Sequence, residues 1–189
     1  MSRRVRAYIG LGANVGRPRP MLANAVRALA ALPGARLRDV SRLYRTRPIG
    51  VADQPDFLNA VVALDVPAGP DPATGALALL SALKQLERAL GRQPRRRWGP
   101  REIDLDLLVF GRHQIDVRRP DGRGLVVPHA QMGERLFVLA PLADLAAGLR
   151  APGWTETVGT VLKRQSRLPS AEGAAKALGD WRREAGDWG

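Results

Sequence analysis

Two amphipathic helical segments with strand-like segments around them are the sequence feature that most restricts how this chain can fold. Apolar side chains recur at helical spacing over 21–32 and again over 73–90, and Gly91 stands where a C-terminal helix cap is expected. Short apolar segments typical of strands surround these helices; they cover 5–11, 37–46, 57–66 and 102–110. The order β, α, β, β, α, β predicts an α+β domain with a mainly antiparallel sheet and helices packed on it.

The last part of the chain differs from the part before it. Short helical pieces are expected over 136–149, but the apolar pattern thins beyond Gly153, and 164–189 is polar and mixed in charge. With 189 residues, 45% of them hydrophobic, the chain can bury one sizeable core. We therefore predict one domain over 1–153 and a polar appendage over 154–189, which Trp154, Trp181 and Trp188 attach to the body.

Composition excludes several kinds of site. The chain has no cysteine and two histidines, so a disulfide framework, a thiolate metal site, a cysteine nucleophile and a His-rich metal cluster are excluded. A bound metal would need carboxylate ligands, which favours Mg²⁺. No apolar run reaches about 18 residues, and the start of the chain leads straight into a strand-like segment. We expect a cytoplasmic protein without a membrane partner.

The charge of the chain is strongly positive and is carried by arginine. Lys and Arg total 30 against 18 acidic residues, a net charge of +12, and only three of the 30 are Lys. Arginine binds phosphate in a bidentate way, so nucleotides and nucleic acids are both suitable partners, and charge alone does not decide between them. Five arginines and no acid lie within 92–101; they are Arg92, Arg95, Arg96, Arg97 and Arg101.

An acidic pair follows this arginine loop directly. Asp104 and Asp106 lie two residues apart in a strand-like segment, so their side chains point to the same face. A lone pair of this kind is more often a solvated strand edge, but the flanking residues here are core-like, and buried carboxylates need a metal or an arginine. Metal-bound phosphate would join the arginines to the carboxylates. Phosphoryl transfer needs positioning and charge stabilisation rather than a nucleophile, so the composition fits this chemistry.

The familiar nucleotide-binding motifs are absent. The glycines at positions 10, 12 and 16 place the third one residue late for the dinucleotide fingerprint, and no Gly-Lys-Ser/Thr phosphate loop occurs in the sequence. The sequence therefore predicts a kinase without a P-loop.

A second candidate site surrounds residues 46–60. Phe57 and Asn59 share one face of a predicted strand and follow a stiff loop that begins at Thr46. An aromatic ring can stack on a flat heterocycle, and an asparagine amide can read its edge because it both donates and accepts hydrogen bonds. Ordinary core and turn roles are the alternative for each residue.

These residues together resemble the 6-hydroxymethyl-7,8-dihydropterin pyrophosphokinase family over about residues 5–150. The matching segments are 7–14 (AYIGLGAN), 44–46 (YRT) with Pro48 and Gly50, 53–60 (DQPDFLNA), 97–101 (RWGPR) with Asp104 and Asp106, and 127–129 (VPH). The resemblance implies a ferredoxin-like α+β fold and a role in folate biosynthesis. It also implies ATP and a reduced pterin as substrates, with AMP as the released product.

The resemblance assigns roles to residues by position. Asp104 and Asp106 would hold two Mg²⁺ ions, and these residues with Arg92 and Arg101 would be catalytic. The implied ATP-binding residues are Glu87, Arg92, Arg97, Trp98, Arg101, Leu107, His129 and Arg135. The implied pterin-binding residues are Thr46, Pro48, Ile49, Phe57, Asn59, Trp98 and Phe137. The implied mechanism is in-line attack of the pterin hydroxyl on the β-phosphorus of ATP, without an enzyme-bound intermediate.

The chain departs from the family pattern in several places. The arginine loop is one residue shorter, which leaves open whether Arg95 or Arg96 faces phosphate. An inserted stretch over 118–124 leaves Gly124 where an arginine often stands, so either Arg119 or Arg123 supplies that charge or the insertion is a surface loop. Arg47 replaces a common proline, and Ala130 replaces a common aromatic residue.

Two functions other than a kinase are also compatible with a basic α+β domain. Ferredoxin-like sheets with basic loops often bind RNA through exposed aromatic residues, but only 5% of this chain is aromatic. A nucleotide sensor without catalysis is disfavoured by the intact acidic pair. We expect ATP and a pterin as partners, no nucleic acid, and a monomer.

Overall fold

An antiparallel sheet of six strands forms the centre of the molecule. The structure is a computed structural model and describes residues 3–48, 53–94, 99–118, 124–168 and 175–189. Its elements are β1 (Arg4–Ala13), α1 (Pro18–Ala30), β2 (Arg36–Val40), β3 (Leu43–Thr46), β4 (Phe57–Pro67), α2 (Pro72–Ala89), β5 (Asp104–Phe110), β6 (Ile115–Arg118), β7 (Gly124–Val127), α3 (Leu136–Ala146), α4 (Val158–Gln165), β8 (Lys176–Gly179), β9 (Trp181–Arg182) and β10 (Asp187–Trp188).

The strand order confirms the predicted fold class. The main sheet runs β5-β1-β4-β3-β8, with β2 also paired to β4, and every pairing within it is antiparallel. Helices α1 and α2 pack on one face of the sheet, over a core that includes Ile9, Leu22 and Leu83. Helices α3 and α4 cover the other face and bury side chains such as Leu139 of α3 and Val161 of α4. The result is a ferredoxin-like α+β domain with an additional helical layer.

Both predicted helices over the first face are present, and their ends follow the local sequence. Helix α2 begins after Asp71, whose carboxylate accepts hydrogen bonds from the Thr74 backbone N–H at 3.0 Å and from its hydroxyl at 2.7 Å. The turn after it uses Gly91 at a φ of 89°, as the capping prediction requires. Helix α1 begins at Pro18, three residues before the predicted start, because proline suits the first turn of a helix.

The predicted single strand over 37–46 is wrong, since the structure divides it into β2 and β3. The two short strands lie end to end along β4 and are separated at Ser41. There the Ser41 backbone N–H donates to the Val61 carbonyl at 2.9 Å, while the Val61 N–H donates to Ser41 Oγ at 2.8 Å. A side-chain oxygen thus replaces a main-chain acceptor, and the strand is interrupted at this point. The short helical pieces predicted over 136–149 form one helix, α3, which contains Pro141.

The C-terminal segment contributes regular structure that the apolar pattern did not indicate. Helix α4 packs on α3, and β8 pairs with β3 at the edge of the main sheet. Trp188 is 1% exposed, stacks edge-on against Trp181 with ring centroids 4.7 Å apart, and donates from Nε1 to the Ser41 carbonyl at 2.8 Å. Trp154, Trp181 and Trp188 therefore all pack against the body, and Trp154 does so beside the apolar side chains of α3 and α4. Within the described ranges, no helix combines the length and hydropathy that crossing a membrane requires.

Candidate active site

A cleft of about 460 Å³ opens on the face of the sheet that α3 covers. Its floor is formed by Gly10 and Gly12 of β1, and Gly12 lies in the strand although the prediction ended the strand at residue 11. Gly12 is in register with Asn59 on one side and Asp104 on the other, and Gly10 is in register with Asp106. A Cβ atom at Gly12 would lie 3.2 Å from Asn59 Oδ1. The two glycines therefore leave space between the polar side chains of the neighbouring strands.

The acidic pair lies at one end of this cleft, as the strand alternation predicted. Asp104 and Asp106 both line the cleft, while Leu105 between them is fully buried on the opposite face. The Asp104 carboxylate is held from both sides: Oδ1 accepts from Arg92 Nη1 at 2.8 Å, and Oδ2 accepts from Arg101 Nη1 at 2.9 Å. Within the described part of the chain, no side chain donates a hydrogen bond to Asp106.

The electrostatics of Asp106 favour a cation beside it. Burial, followed by the neighbouring charge of Asp104, raises the pKa of Asp106 above its usual value. Burial also lowers the pKa of His129 and of Arg135, which face the same carboxylates. For Arg92 burial acts to lower the pKa, but the charges of Asp104 and Glu87 outweigh it and raise the pKa. The cations around the pair therefore offset part of the repulsion between its two carboxylates.

The donor set fits Mg²⁺. The described residues contain no group of three or more Asp, Glu, His or Cys side chains placed to enclose a metal. Mg²⁺ is commonly held by one or two carboxylates, with the remaining positions taken by water and substrate phosphates. Each Asp104 oxygen uses one acceptor position on an arginine and retains another, and Asp106 is open to the cleft. Asp104 and Asp106 can therefore supply two of the ligands that Mg²⁺ needs, and water or substrate phosphate would take the remaining positions.

Helix α2 supports the acidic strand from behind. Glu87 is 2% exposed; its Oε1 accepts from the Leu105 N–H at 2.7 Å and from Lys84 Nζ at 2.7 Å, and its other oxygen pairs with Arg92. Glu87, which the resemblance assigns to ATP, is thus bonded to Arg92 and the strand. Lys84 was not predicted from the sequence, although its position three residues before Glu87 places both on one helix face.

The other end of the cleft carries the predicted amide and aromatic residues. Asn59 is 5% exposed and donates from Nδ2 to Thr46 Oγ1 at 2.8 Å, which fixes the orientation of the amide. Phe57 and Phe137 both line the cleft. The Arg135 guanidinium lies over the Phe137 ring, 5.5 Å from its centroid. Residues that are far apart in the sequence therefore meet at this end as predicted.

Asn14 joins the two ends of the cleft and was not singled out from the sequence as a site residue. Its Nδ2 donates to Gln54 Oε1 at 3.1 Å and to the Pro55 carbonyl at 3.0 Å, while its Oδ1 accepts from the Arg101 N–H at 2.8 Å. The side chain is 3% exposed. A buried asparagine directly after a strand was the available indication, because its amide must find partners.

Some predicted residues are not in the cleft. The Leu107 side chain is buried in the core on the opposite face, so the predicted contact of Leu107 with ATP would have to come from its main chain. Pro48 is half-buried and does not line the cleft, whereas Arg47 does. His129 lies beside β5, where its backbone N–H donates to the Leu108 carbonyl at 2.9 Å. Ile49, Arg95, Arg96, Arg97, Trp98, Arg119 and Arg123 lie outside the described residues.

The structure explains why position 124 carries a glycine rather than a larger residue. A Cβ atom there would lie 2.6 Å from the Val117 carbonyl oxygen, because β6 and β7 approach closely at this pair. An arginine at this position would require the two strands to separate. Any phosphate-binding charge from the insertion must therefore come from another residue.

The fold and the cleft define the class of this protein: it is a ferredoxin-like kinase whose acidic pair lies beneath arginines, without a P-loop. Residues 8–147 match the model of the 7,8-dihydro-6-hydroxymethylpterin-pyrophosphokinase (HPPK) family. The chain belongs to this family and is a pyrophosphokinase of folate biosynthesis. The C-terminal elements α4 and β8 to β10 lie beyond the matched residues.

Similar proteins from two bacteria are named pyrophosphokinases. The 2-amino-4-hydroxy-6-hydroxymethyldihydropteridine pyrophosphokinase of Pseudomonas aeruginosa is 47% identical over 147 residues, which are 78% of this chain and 84% of the relative. The protein of that name from Bacillus subtilis is 42% identical over 139 residues, which are 74% of this chain and 77% of the relative. Among solved structures, wild-type Plasmodium falciparum HPPK-DHPS with pterin and p-hydroxybenzoate superposes with a TM-score of 0.69 at 15% identity. That match covers 87% of this chain and 43% of the larger one, and at this low identity it supports the fold alone.

Proposed function

We propose that this cleft binds ATP and 6-hydroxymethyl-7,8-dihydropterin together and transfers the pyrophosphoryl group between them, releasing AMP. One observation carries the proposal: a single cleft has two carboxylates beneath arginines at one end and an oriented amide with two aromatic rings at the other. The first end suits metal-bound phosphate, and the second suits a flat heterocycle.

The pterin end is organised by Asn59. One of its two N–H groups bonds Thr46, which leaves the other N–H and Oδ1 to face the hydrogen-bonding edge of the pterin. Gly12 gives this oxygen room, and Phe57 and Phe137 supply the stacking surfaces. We assign Pro48, Ile49 and Trp98 to the remaining wall of the pterin site on the strength of the family resemblance.

The phosphate end is organised by Asp104 and Asp106, which we assign as ligands for two Mg²⁺ ions that accompany ATP. When bound, Mg²⁺ would supply positive charge to the phosphate oxygens. Arg92 and Arg101, now bonded to Asp104, lie close enough to this end to neutralise charge that develops on the transferred group. We assign Arg97, Arg135, His129 and the main chain of Leu107 to ATP.

The chemistry is a direct displacement. The pterin hydroxyl oxygen forms a bond to the β-phosphorus, and the bond from that phosphorus to the oxygen bridging to the α-phosphate breaks. The electron pair leaves on AMP, and the hydroxyl proton passes to solvent. The protein positions the reactants and stabilises charge, so no residue forms a covalent intermediate.

We further propose that the enzyme acts as a monomer in the cytoplasm, without a nucleic-acid or membrane partner. We assign the transfer to residues 1–153 and treat 154–189 as an appendage that packs on this body.

The test is an assay for AMP. The protein is incubated with ATP, Mg²⁺ and 6-hydroxymethyl-7,8-dihydropterin, and AMP release is measured with and without the pterin. AMP that forms only with the pterin supports the proposal, and an Asn59→Ala variant should raise the KM for the pterin. Formation of ADP instead, or AMP release that does not depend on the pterin, would contradict it.

A further inference from the structure

The outer edge of strand β5 is closed by two side chains of helix α2. In the described sheet β5 pairs with β1 on one side and is the outermost strand on the other. Glu87 Oε1 accepts from the Leu105 N–H at 2.7 Å, and Lys84 Nζ donates to the Leu105 carbonyl at 3.0 Å. Lys84 and Glu87 also bond to each other at 2.7 Å. The pair therefore satisfies both outward main-chain groups of Leu105, as a neighbouring strand would.

The ammonium group of Lys84 is anchored beside both carboxylates of the acidic pair. Its Nζ lies 4.0 Å from Asp104 Oδ1 and 4.0 Å from Asp106 Oδ1. Two of its three donors are used on Glu87 and Leu105, so the group is held in place by bonds other than those to the pair. Its positive charge is thus fixed at equal distances from the two carboxylates.

The charges of this cluster balance without a metal. Among the described residues, six side chains are connected by ion pairs of at most 4.0 Å, namely Lys84, Arg92 and Arg101 with Glu87, Asp104 and Asp106. Three positive and three negative charges give a net charge of zero for these six. A bare divalent cation would leave the cluster at +2, whereas a cation that arrives with a triphosphate brings compensating negative charge. The nucleotide-free cluster therefore has a weak attraction for a metal alone.

We propose that Lys84 is a positioning residue with two effects: it holds the two carboxylates together before substrates bind, and it weakens the binding of bare divalent cations. The metal then enters together with the nucleotide. This inference rests on the proposed metal site at Asp104 and Asp106. A unit charge about 5 Å from a divalent ion, even in solvent-like dielectric, changes its affinity by an amount on the order of tenfold.

The test measures metal binding rather than turnover. Mn²⁺ is titrated into the nucleotide-free protein, and free Mn²⁺ is counted by electron paramagnetic resonance. Lys84→Gln keeps an N–H donor for Leu105 but removes the charge, so we expect its Kd for Mn²⁺ to fall about tenfold below that of the parent. Lys84→Arg keeps the charge, and Lys163→Gln removes an exposed lysine on helix α4. Both should bind Mn²⁺ as the parent does.

Several outcomes would overturn the inference. It fails if folded Lys84→Gln binds Mn²⁺ no more tightly than the parent, if neither binds measurably, or if Lys163→Gln gains equally. Lys84→Met serves as a second uncharged variant should Lys84→Gln not fold. Adding Asp104→Asn to the Lys84→Gln protein separates the two proposals. Mn²⁺ binding that survives this change contradicts the proposed metal site, whereas binding that is lost, without a gain from Lys84→Gln, contradicts only the effect of Lys84.

Discussion

Replacing either carboxylate of the acidic pair should abolish turnover, but the two replacements should change stability in opposite directions. Asp104 is bonded to two arginines through its two oxygens, so Asp104→Asn removes the negative charge that both arginines contact and leaves one of them facing an amide N–H. Asp106 has a raised pKa, caused first by burial and then by Asp104, so its ionised form destabilises the folded state at neutral pH. Asp106→Asn removes that unfavourable charge.

The magnitudes follow from these contacts. Each hydrogen bond to a charged group contributes about 1.5–3 kcal/mol, and partial solvent exposure of the Asp104 network reduces the total loss to about 2 kcal/mol. The Asp106 side chain is 41% exposed to the open cleft, and screening there limits the gain from Asp106→Asn to about 1 kcal/mol. For a chain of this length, about 1 kcal/mol corresponds to roughly 2–4 °C in Tm. Turnover should fall at least about 100-fold in both variants, because each loses a group that positions transition-state charge.

Two measurements on the same samples test this reasoning. Thermal unfolding with a chelator present should place the Tm of Asp104→Asn below that of the parent and the Tm of Asp106→Asn above it. AMP release in saturating MgATP and pterin should be almost lost in both. Turnover near the parental value in either variant would refute the metal assignment, and a Tm that falls equally in both would refute the electrostatic account of Asp106.

Three further predictions concern other parts of the molecule. Phe57→Ala and Asn59→Ala should weaken pterin binding more than binding of a non-hydrolysable ATP analogue in calorimetry. Equal losses for both ligands would show that Phe57 belongs to the core rather than to the pterin site. Either Arg119→Ala or Arg123→Ala should raise the Kd for that analogue about tenfold, which corresponds to about 1.4 kcal/mol for one screened charge contact. If the insertion is a surface loop, neither substitution changes the Kd. Burial, and then the hydrogen bond to Asp144, raises the pKa of Tyr44 to about 12, so folding stability should decline as pH rises from about 10 to 12. Tyr44→Phe should flatten this decline in denaturant titrations, and an unchanged slope would contradict the role given to its hydroxyl.

Much of the fold followed from local periodicity. The type of each element follows from the spacing of apolar residues that are close in the sequence, and this spacing can be seen in the sequence directly. The break between β2 and β3 did not follow, because it depends on the Ser41 hydroxyl replacing a main-chain acceptor opposite Val61. Likewise β8 has little apolar character of its own, and it is a strand because β3 offers it an edge.

The site divides in the same way. The sequence by itself determined that Asp104 and Asp106 share one face of their strand, and that Phe57 and Asn59 share one face of theirs, because strand side chains alternate with a period of two. The tertiary structure alone decided that Gly12 separates Asn59 from Asp104, that two arginines hold Asp104, and that Lys84 lies equally far from both carboxylates. These contacts join elements whose separation and register are set by packing of the whole sheet and its helices. Local sequence carries the periodicity of each element, but the distances between elements exist only once the core has formed.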